Sequence, residues 1–243
     1  MNQLLLTLAL LILTGYQGTN TPTLMLPELD GALIHLWKSA HDVNAKQLTQ
    51  GFERVEKTWL SYRQEFVDKA IPHFDMDITA QDIDRSIKLM KDAVAKDDHA
   101  SIRYISYKIL KDFREIRRCV QAETYALDEL LITYDLYIEF HRAADDPMMG
   151  LYEWNEFVHI YDEMRCQFDR YQIAASMAFR DDRLSIEKRD HDSLVLDALA
   201  CLTRFEVELG EAYSPDFQEP CDEIGEALFN LIGLYESELP PLN

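Results

Sequence analysis

Residues Leu48 to Ala70 read LTQGFERVEKTWLSYRQEFVDKA, with apolar or aromatic side chains at Leu48, Phe52, Val55, Trp59, Tyr62, Phe66 and Ala70. Steps of four and three put these positions on one stripe of an α-helix, with the spacing of a bundle seam. A half-buried strand would need alternation with period two, and none runs over a strand's length anywhere in the chain. Pro72 has no amide hydrogen to offer and is expected to stop the helix.

The same rhythm extends outward in both directions. Upstream, Pro27 to His41 carries Leu29, Leu33, Leu36 and Trp37, and Pro27 suits a first helical turn. This segment is read as leading into the long helix without a break. Downstream, Thr79 is the expected N-cap, with Asp82 three residues on, and Ile83, Ile87, Met90 and Val94 follow. After the polar stretch Asp97 to Ser101 come Ile102, Ile105, Ile109, Phe113 and Ile116. That stretch is either a solvated patch on one helix or a short break recapped by Asp98. Further stripes are Leu127, Leu131, Tyr134 and Ile138; then Trp154, Val158, Tyr161, Phe168, Tyr171, Ala175 and Ala178. The last two are Leu194, Ala198, Cys201, Phe205 and Leu209, then Phe217, Cys221, Ile224, Leu228, Leu231 and Tyr235. The fold class is therefore all-α, an up-and-down bundle of long amphipathic helices. Phe52, Trp59 and Phe66 overlay Phe157, Met164 and Tyr171 at one constant offset, which raises two related halves, each a helical hairpin or three-helix unit.

The N-terminus carries a different signal. An apolar run from Leu4 to Leu13 is too short for the roughly 20 residues of a membrane-crossing helix, and it fits the apolar part of a secretory signal. Residues 1–15 are accordingly read as a signal peptide, 16–26 as a flexible tether and 27–243 as one helical domain. Leu13, Thr14 and Gly15 resemble the tripeptide that precedes the lipidated cysteine of bacterial lipoproteins. Tyr16 stands where that cysteine would be, and a phenol cannot form the thioether. The resemblance implies a lipoprotein-like layout without the anchor. The expected location is periplasmic or extracellular, with no stable membrane insertion after signal cleavage.

Composition narrows the partners. With 24 Lys and Arg against 44 Asp and Glu, the formal charge is −20, which repels phosphate backbones and anionic lipid. Nucleic acid is disfavoured, and a basic protein partner is the natural counterpart. Hydrophobic residues make up 47% of the chain with only 8 Gly and 8 Pro, which argues for a packed, helix-rich chain and against disorder.

Candidate chemistry is sparse. Glu156 and His159, with Glu163 on the same face, have metal-type spacing, but a di-iron bundle needs a second such motif and inward-facing partners. The stripe of that helix turns these three toward water, so no metal ligand is assigned. No Cys-x-x-Cys-His is present, which excludes covalent c-type haem, although His141 is in phase with a core stripe and could project inward. Cys119, Cys166, Cys201 and Cys221 permit three disulfide pairings, Cys201 with Cys221 and Cys119 with Cys166 among them, or else are buried free thiols. Hydrolase elbows, zinc-protease motifs and phosphate loops are absent, and Asp145 with Asp146 and Asp181 with Asp182 fall in turns, where they cap helices.

The sequence is thus read as a non-enzymatic, extracytoplasmic bundle without a cofactor that acts by binding a protein partner. Trp37, Trp59 and Trp154 are the aromatics whose exposure would mark the contact surface. Two alternatives stand beside it: a periplasmic metal- or haem-binding bundle, and an acidic immunity-like inhibitor of a basic toxin.

Overall fold

Helix α1, Pro27–His41, is apolar around most of its circumference: Leu29, Ala32, Leu33, Ile34, Leu36, Trp37 and Ala40 are all buried. Such a helix must be surrounded, and in a computed structural model of the chain it is. The structure describes residues 26–43, 45–69, 71, 74–120, 124–145, 154–184, 186–210 and 218–238. Around and beyond α1 lie α2 (Ala45–Asp68), α3 (Met76–Ala95), α4 (His99–Val120), α5 (Ala126–Ala144), α6 (Trp154–Arg180), α7 (Lys188–Gly210) and α8 (Gln218–Gly233). A 3-10 turn, Leu234–Glu238, follows α8, and no strand occurs among the described residues. The all-α helical bundle is what the stripes predict.

The helices group into two rings of four. In the first, α1 packs on α2, α2 on α3, α3 on α4 and α4 back on α1; in the second, α5, α6, α7 and α8 close in the same order. Each half therefore holds four helices, not the hairpin or three-helix unit expected from sequence. The overlaid positions Phe52, Trp59 and Phe66 on α2 and Phe157, Met164 and Tyr171 on α6 are all buried. Each ring has an aromatic interior. Trp59, Phe66 and Phe113 meet with centroids 5.4 to 6.1 Å apart in the first ring. In the second, Phe140 stacks on Phe157 at 4.6 Å and meets Phe205 edge-on at 4.9 Å. At Gly51, a Cβ would come within 3.1 Å of the His35 ring and 3.2 Å of Leu36, so glycine lets α2 approach α1 closely.

Helix ends correct several local expectations. α1 does not run into α2, because its C-cap Asp42 is followed by Val43 at φ 55°, in the left-handed region. At the start of α3 the cap is Asp75, whose carboxylate accepts from the amides of Asp77 and Ile78; Thr79 lies inside the helix, its hydroxyl donating to the Asp75 carbonyl. The Asp97 region is a true break. There Asp97 N–H donates to Val94 O and Asp98 N–H to Ala93 O, a Schellman pair with Asp97 at φ 55°, and Asp98 then accepts from the Ser101 amide to start α4. α6 ends the same way, with Asp182 at φ 54° and Arg183 N–H donating to Ala178 O.

The leader, Pro72, Asp146, Pro147, Phe217, Pro240 and Pro241 lie outside the described residues, as does most of the tether; Leu26, its last residue, is buried against the core. Among the described residues no helix is long and apolar enough to cross a membrane.

Candidate binding cleft at the junction of the rings

The rings meet through α1, which touches α8 and the 3-10 turn, and through side chains that reach from α4 to α5. Beside its core stripe, α4 carries Tyr107, Lys111, Arg114 and Arg117 at steps of four and three. Facing them on α5 are Asp128 and Asp135, two helical turns apart. Arg117 is 5% exposed; its Nε and Nη2 donate to both oxygens of Asp128, at 2.6 to 3.1 Å, and its Nη1 donates to Asp30 Oδ2 of α1 at 3.1 Å. Its guanidinium also lies 4.9 Å from the Tyr125 ring centroid. One cation thus serves two carboxylates, both buried. Burial pushes the Asp30 carboxyl up to about 6, a rise that Asp128 reinforces and Arg117 only partly offsets.

One turn or more along the same seam, Arg114 Nη2 donates to Asp135 Oδ2 at 2.8 Å, while the Tyr107 hydroxyl donates to Asp135 Oδ1 at 2.6 Å. Burial raises the Asp135 carboxyl, but these two donors outweigh it and hold it below the usual range. Burial, together with Asp135, drives the Tyr107 phenol upward, so it remains a donor. Asp135 therefore fixes the Tyr107 ring.

That ring forms part of the wall of an open cleft of about 610 Å³ bounded by α1, α4, α5 and α8. Trp37 lies at its centre, 5.0 Å from Tyr107, 5.4 Å from Tyr134 and 5.2 Å from Phe229, with Tyr137 5.5 Å beyond Tyr134. At the mouth Tyr104 is 69% exposed. Tyr137 fits because α8 has glycine at 225, where a Cβ would fall on the Tyr137 hydroxyl. Charged groups edge the cleft: Asp42, Asp222 and Glu226 against Lys38 and Arg103. Its volume lies in the range of clefts that take small molecules or peptide segments, and its lining mixes aromatic surface with a few polar groups.

The residues singled out from sequence are distributed differently. None of the three tryptophans is exposed: Trp37 touches the cleft but is only 5% exposed, Trp59 is interior, its Nε1 donating to Asp84 at 2.7 Å, and Trp154 is half-buried on Phe157. His141 does not project into a core. It is half-buried near the end of α5, where two carboxylates hold it, Asp222 of α8 at 2.9 Å and Asp145 at 3.3 Å. Glu156, His159 and Glu163 are exposed. Among the described residues no three His, Cys, Asp or Glu side chains gather to hold a metal ion. All four cysteines are free: Cys119 and Cys166 are exposed, Cys201 is half-buried and Cys221 buried. Neither disulfide pairing is formed, and buried thiols describe only Cys221, whose pKa burial raises to about 12.

Sequence reasoning passed over Asp30, Arg114, Arg117, Asp128 and Asp135, and most of the cleft wall. A signal was there: the second stripe on α4, basic and aromatic, matched the spacing of the α5 aspartates. No known protein family, curated protein or solved structure matches the chain.

Proposed function

We propose that the protein acts by binding a protein partner outside the cytoplasm, with an apolar segment of the partner entering the cleft between the rings. The observation that supports this most directly is the wall of the open cleft, in which half-buried Tyr107, Tyr134, Tyr137 and Phe229 surround the buried Trp37. Large aromatic groups that line a concave surface and stay partly accessible are among the residues that dominate protein–protein binding energy. The charge of −20 adds a long-range preference for a partner with a basic surface, which it would attract and orient before contact. The export-type leader supports the location.

A photo-crosslinking side chain in place of Tyr104, at the mouth of the cleft, tests this reading in cells, with the same group in place of exposed Leu196 on α7 as control. A discrete adduct with a basic protein is expected from position 104 and none from 196. Phe229→Ala should weaken the adduct about tenfold, the loss typical of one aromatic anchor. Equal labelling from both positions, or none from 104, would remove the support for the cleft as the docking site.

A further inference from the structure

A second groove, of about 570 Å³, runs between α3 and α4 on the outer face of the first ring. Ile83, Ile105 and Ile116 form its buried floor, and Ile78, Leu89 and Tyr104 stand at or beside its edges, each more than half exposed. Every charged group of this groove is already engaged within the chain: Arg85 with Asp82 at 2.8 Å on α3, Lys108 with Asp112 at 2.5 Å on α4, and Glu115 with Arg114 at 3.3 Å and Arg118 at 3.7 Å. From Met76 to Val120, ten Lys and Arg stand against eight Asp and Glu, whereas the whole chain holds 24 against 44. Over most of their surface two copies of so acidic a chain repel each other; on this face they do not.

The order of the residues along the face is also self-matching. The α3 stripe reads Ile78, Asp82, Arg85, Leu89, and the α4 stripe reads Tyr104, Lys108, Asp112, Ile116. Turned end for end, each stripe meets itself with apolar on apolar and acid on base: Ile78 on Leu89, Asp82 on Arg85, Tyr104 on Ile116 and Lys108 on Asp112. The midpoint of the first stripe falls between Ile83 and Asp84 and that of the second at Leu110, about equally far along the chain from the break at Asp97. In a pair of consecutive antiparallel helices both midpoints therefore lie at one height, and a single two-fold axis satisfies both stripes. Reciprocal contacts of this kind define an isologous interface.

We propose that the chain forms a two-fold dimer through this face, with α3 antiparallel on α3 of the second copy, α4 antiparallel on α4, and Tyr104 of each copy entering the groove of the other above Ile116. Helices of 20 and 22 residues, about 30 Å long and side by side, present a face on the order of 600 Å². That is close to the roughly 800 Å² each partner contributes to a standard interface. The dimer goes beyond the reading of the cleft and does not rest on it.

Sedimentation equilibrium of the full chain at about 100 µM, above the dissociation constant of even a weak interface of this size, reads the assembly directly. A dimer is expected. Leu89→Glu and Ile78→Lys should each weaken it at least about tenfold, whereas Leu196→Glu, on exposed α7 surface, should leave it unchanged. An equimolar mixture of Leu89→Glu and Ile78→Lys should associate more tightly than either variant alone, because one Ile78–Leu89 contact survives and the other becomes lysine on glutamate. That rescue also separates a lost interface from a misfolded chain. A monomeric parent would overturn the proposal and leave the groove to a different protein; a dimer indifferent to Leu89→Glu, or a mixture no tighter than its components, would overturn it too. Tyr104 also stands at the mouth of the cleft and is left unchanged in these variants, so an adduct with a basic protein from position 104 judges the cleft separately.

Discussion

Phe140, Phe157, Tyr161 and Phe205 close the second ring with aromatic faces and edges in contact, and the one polar atom among them, the Tyr161 hydroxyl, donates to the Leu202 carbonyl at 2.6 Å. At the junction of the rings the buried groups are Asp30, Arg117 and Asp128, held by charge. The two regions are comparably dry yet follow different rules. Apolar side chains tolerate many neighbours and fill space, whereas a buried ion pair is favourable only in a narrow geometry and leaves gaps where that geometry holds backbones apart. The cleft lies at the same junction, where α4 and α5 are joined by long side chains such as Tyr107 and Arg114 on Asp135.

The largest effects should come from breaking each region in its own way. Arg117→Ala leaves two buried carboxylates without a cation and should cost about 3–5 kcal/mol. Phe205→Ala opens a cavity in the second ring and should cost about 3–5 kcal/mol as well. Urea unfolding at two pH values tells them apart. Lowering the pH from 7.5 to 5 should relieve part of the Arg117→Ala loss, because the orphaned carboxylates can take up protons. The Phe205→Ala loss should not change.

Next in size is the pH dependence of the intact cluster. The Asp30 carboxyl sits at about 6 in the folded chain against the ordinary 3.8, so the folded state binds a proton that the unfolded chain binds only at lower pH. Asp30 therefore favours folding fully below about pH 3.8 and loses that contribution as pH rises through 6, a difference of about 2–3 kcal/mol. Other carboxylates, Asp84, Asp135 and Glu236 among them, are held below their usual range by donors and slope in the opposite sense. Subtracting the unfolding profile of Asp30→Asn from that of the parent isolates the Asp30 term. The difference should grow in the parent's favour as pH falls from 7 to 4.5, and a flat difference would show that Asp30 is not the titrating group.

Two smaller changes sharpen the contrast. Val43, 68% exposed and β-branched, is held at φ 55°, where Val43→Gly removes a steric penalty of about 1 kcal/mol, measurable as a raised urea midpoint. Gly225→Ala gains about 1 kcal/mol of helix propensity but drives the Tyr137 ring out of its seat, so stability should hardly move. Quenching of tryptophan fluorescence by acrylamide should nonetheless change, since Trp37 shares that wall.

How much of this was legible beforehand differs by element. The stripes of α2, α4, α6 and α8 named their buried residues almost one for one, as at Phe52, Val55, Trp59 and Phe66, because helical period alone decides which side chains share a face. Cap positions were less legible: both Asp75 and Thr79 are good caps, and only the actual path of the chain selected Asp75. His141 shows the limit of phase arguments, since a residue in register with a core stripe is only half-buried near the helix end, where carboxylates of its own helix end and of α8 hold it. Of the cleft, Trp37 was named, but Tyr134 was counted as one more seam residue, and Tyr104, Tyr107 and Glu226 carried no motif at all.

What the sequence by itself determined is the period of its apolar residues, hence helices, their faces and an excess of negative charge: all are properties of neighbours along one chain. Which helices meet was settled in three dimensions. Asp30 and Arg117 stand 87 positions apart and form one ion pair, and α1 became the shared wall of two rings because it is apolar on nearly every side. The cleft exists where four helices from both rings converge without closing, and such a space belongs to the packing, where side-chain length and charge set the distance between backbones.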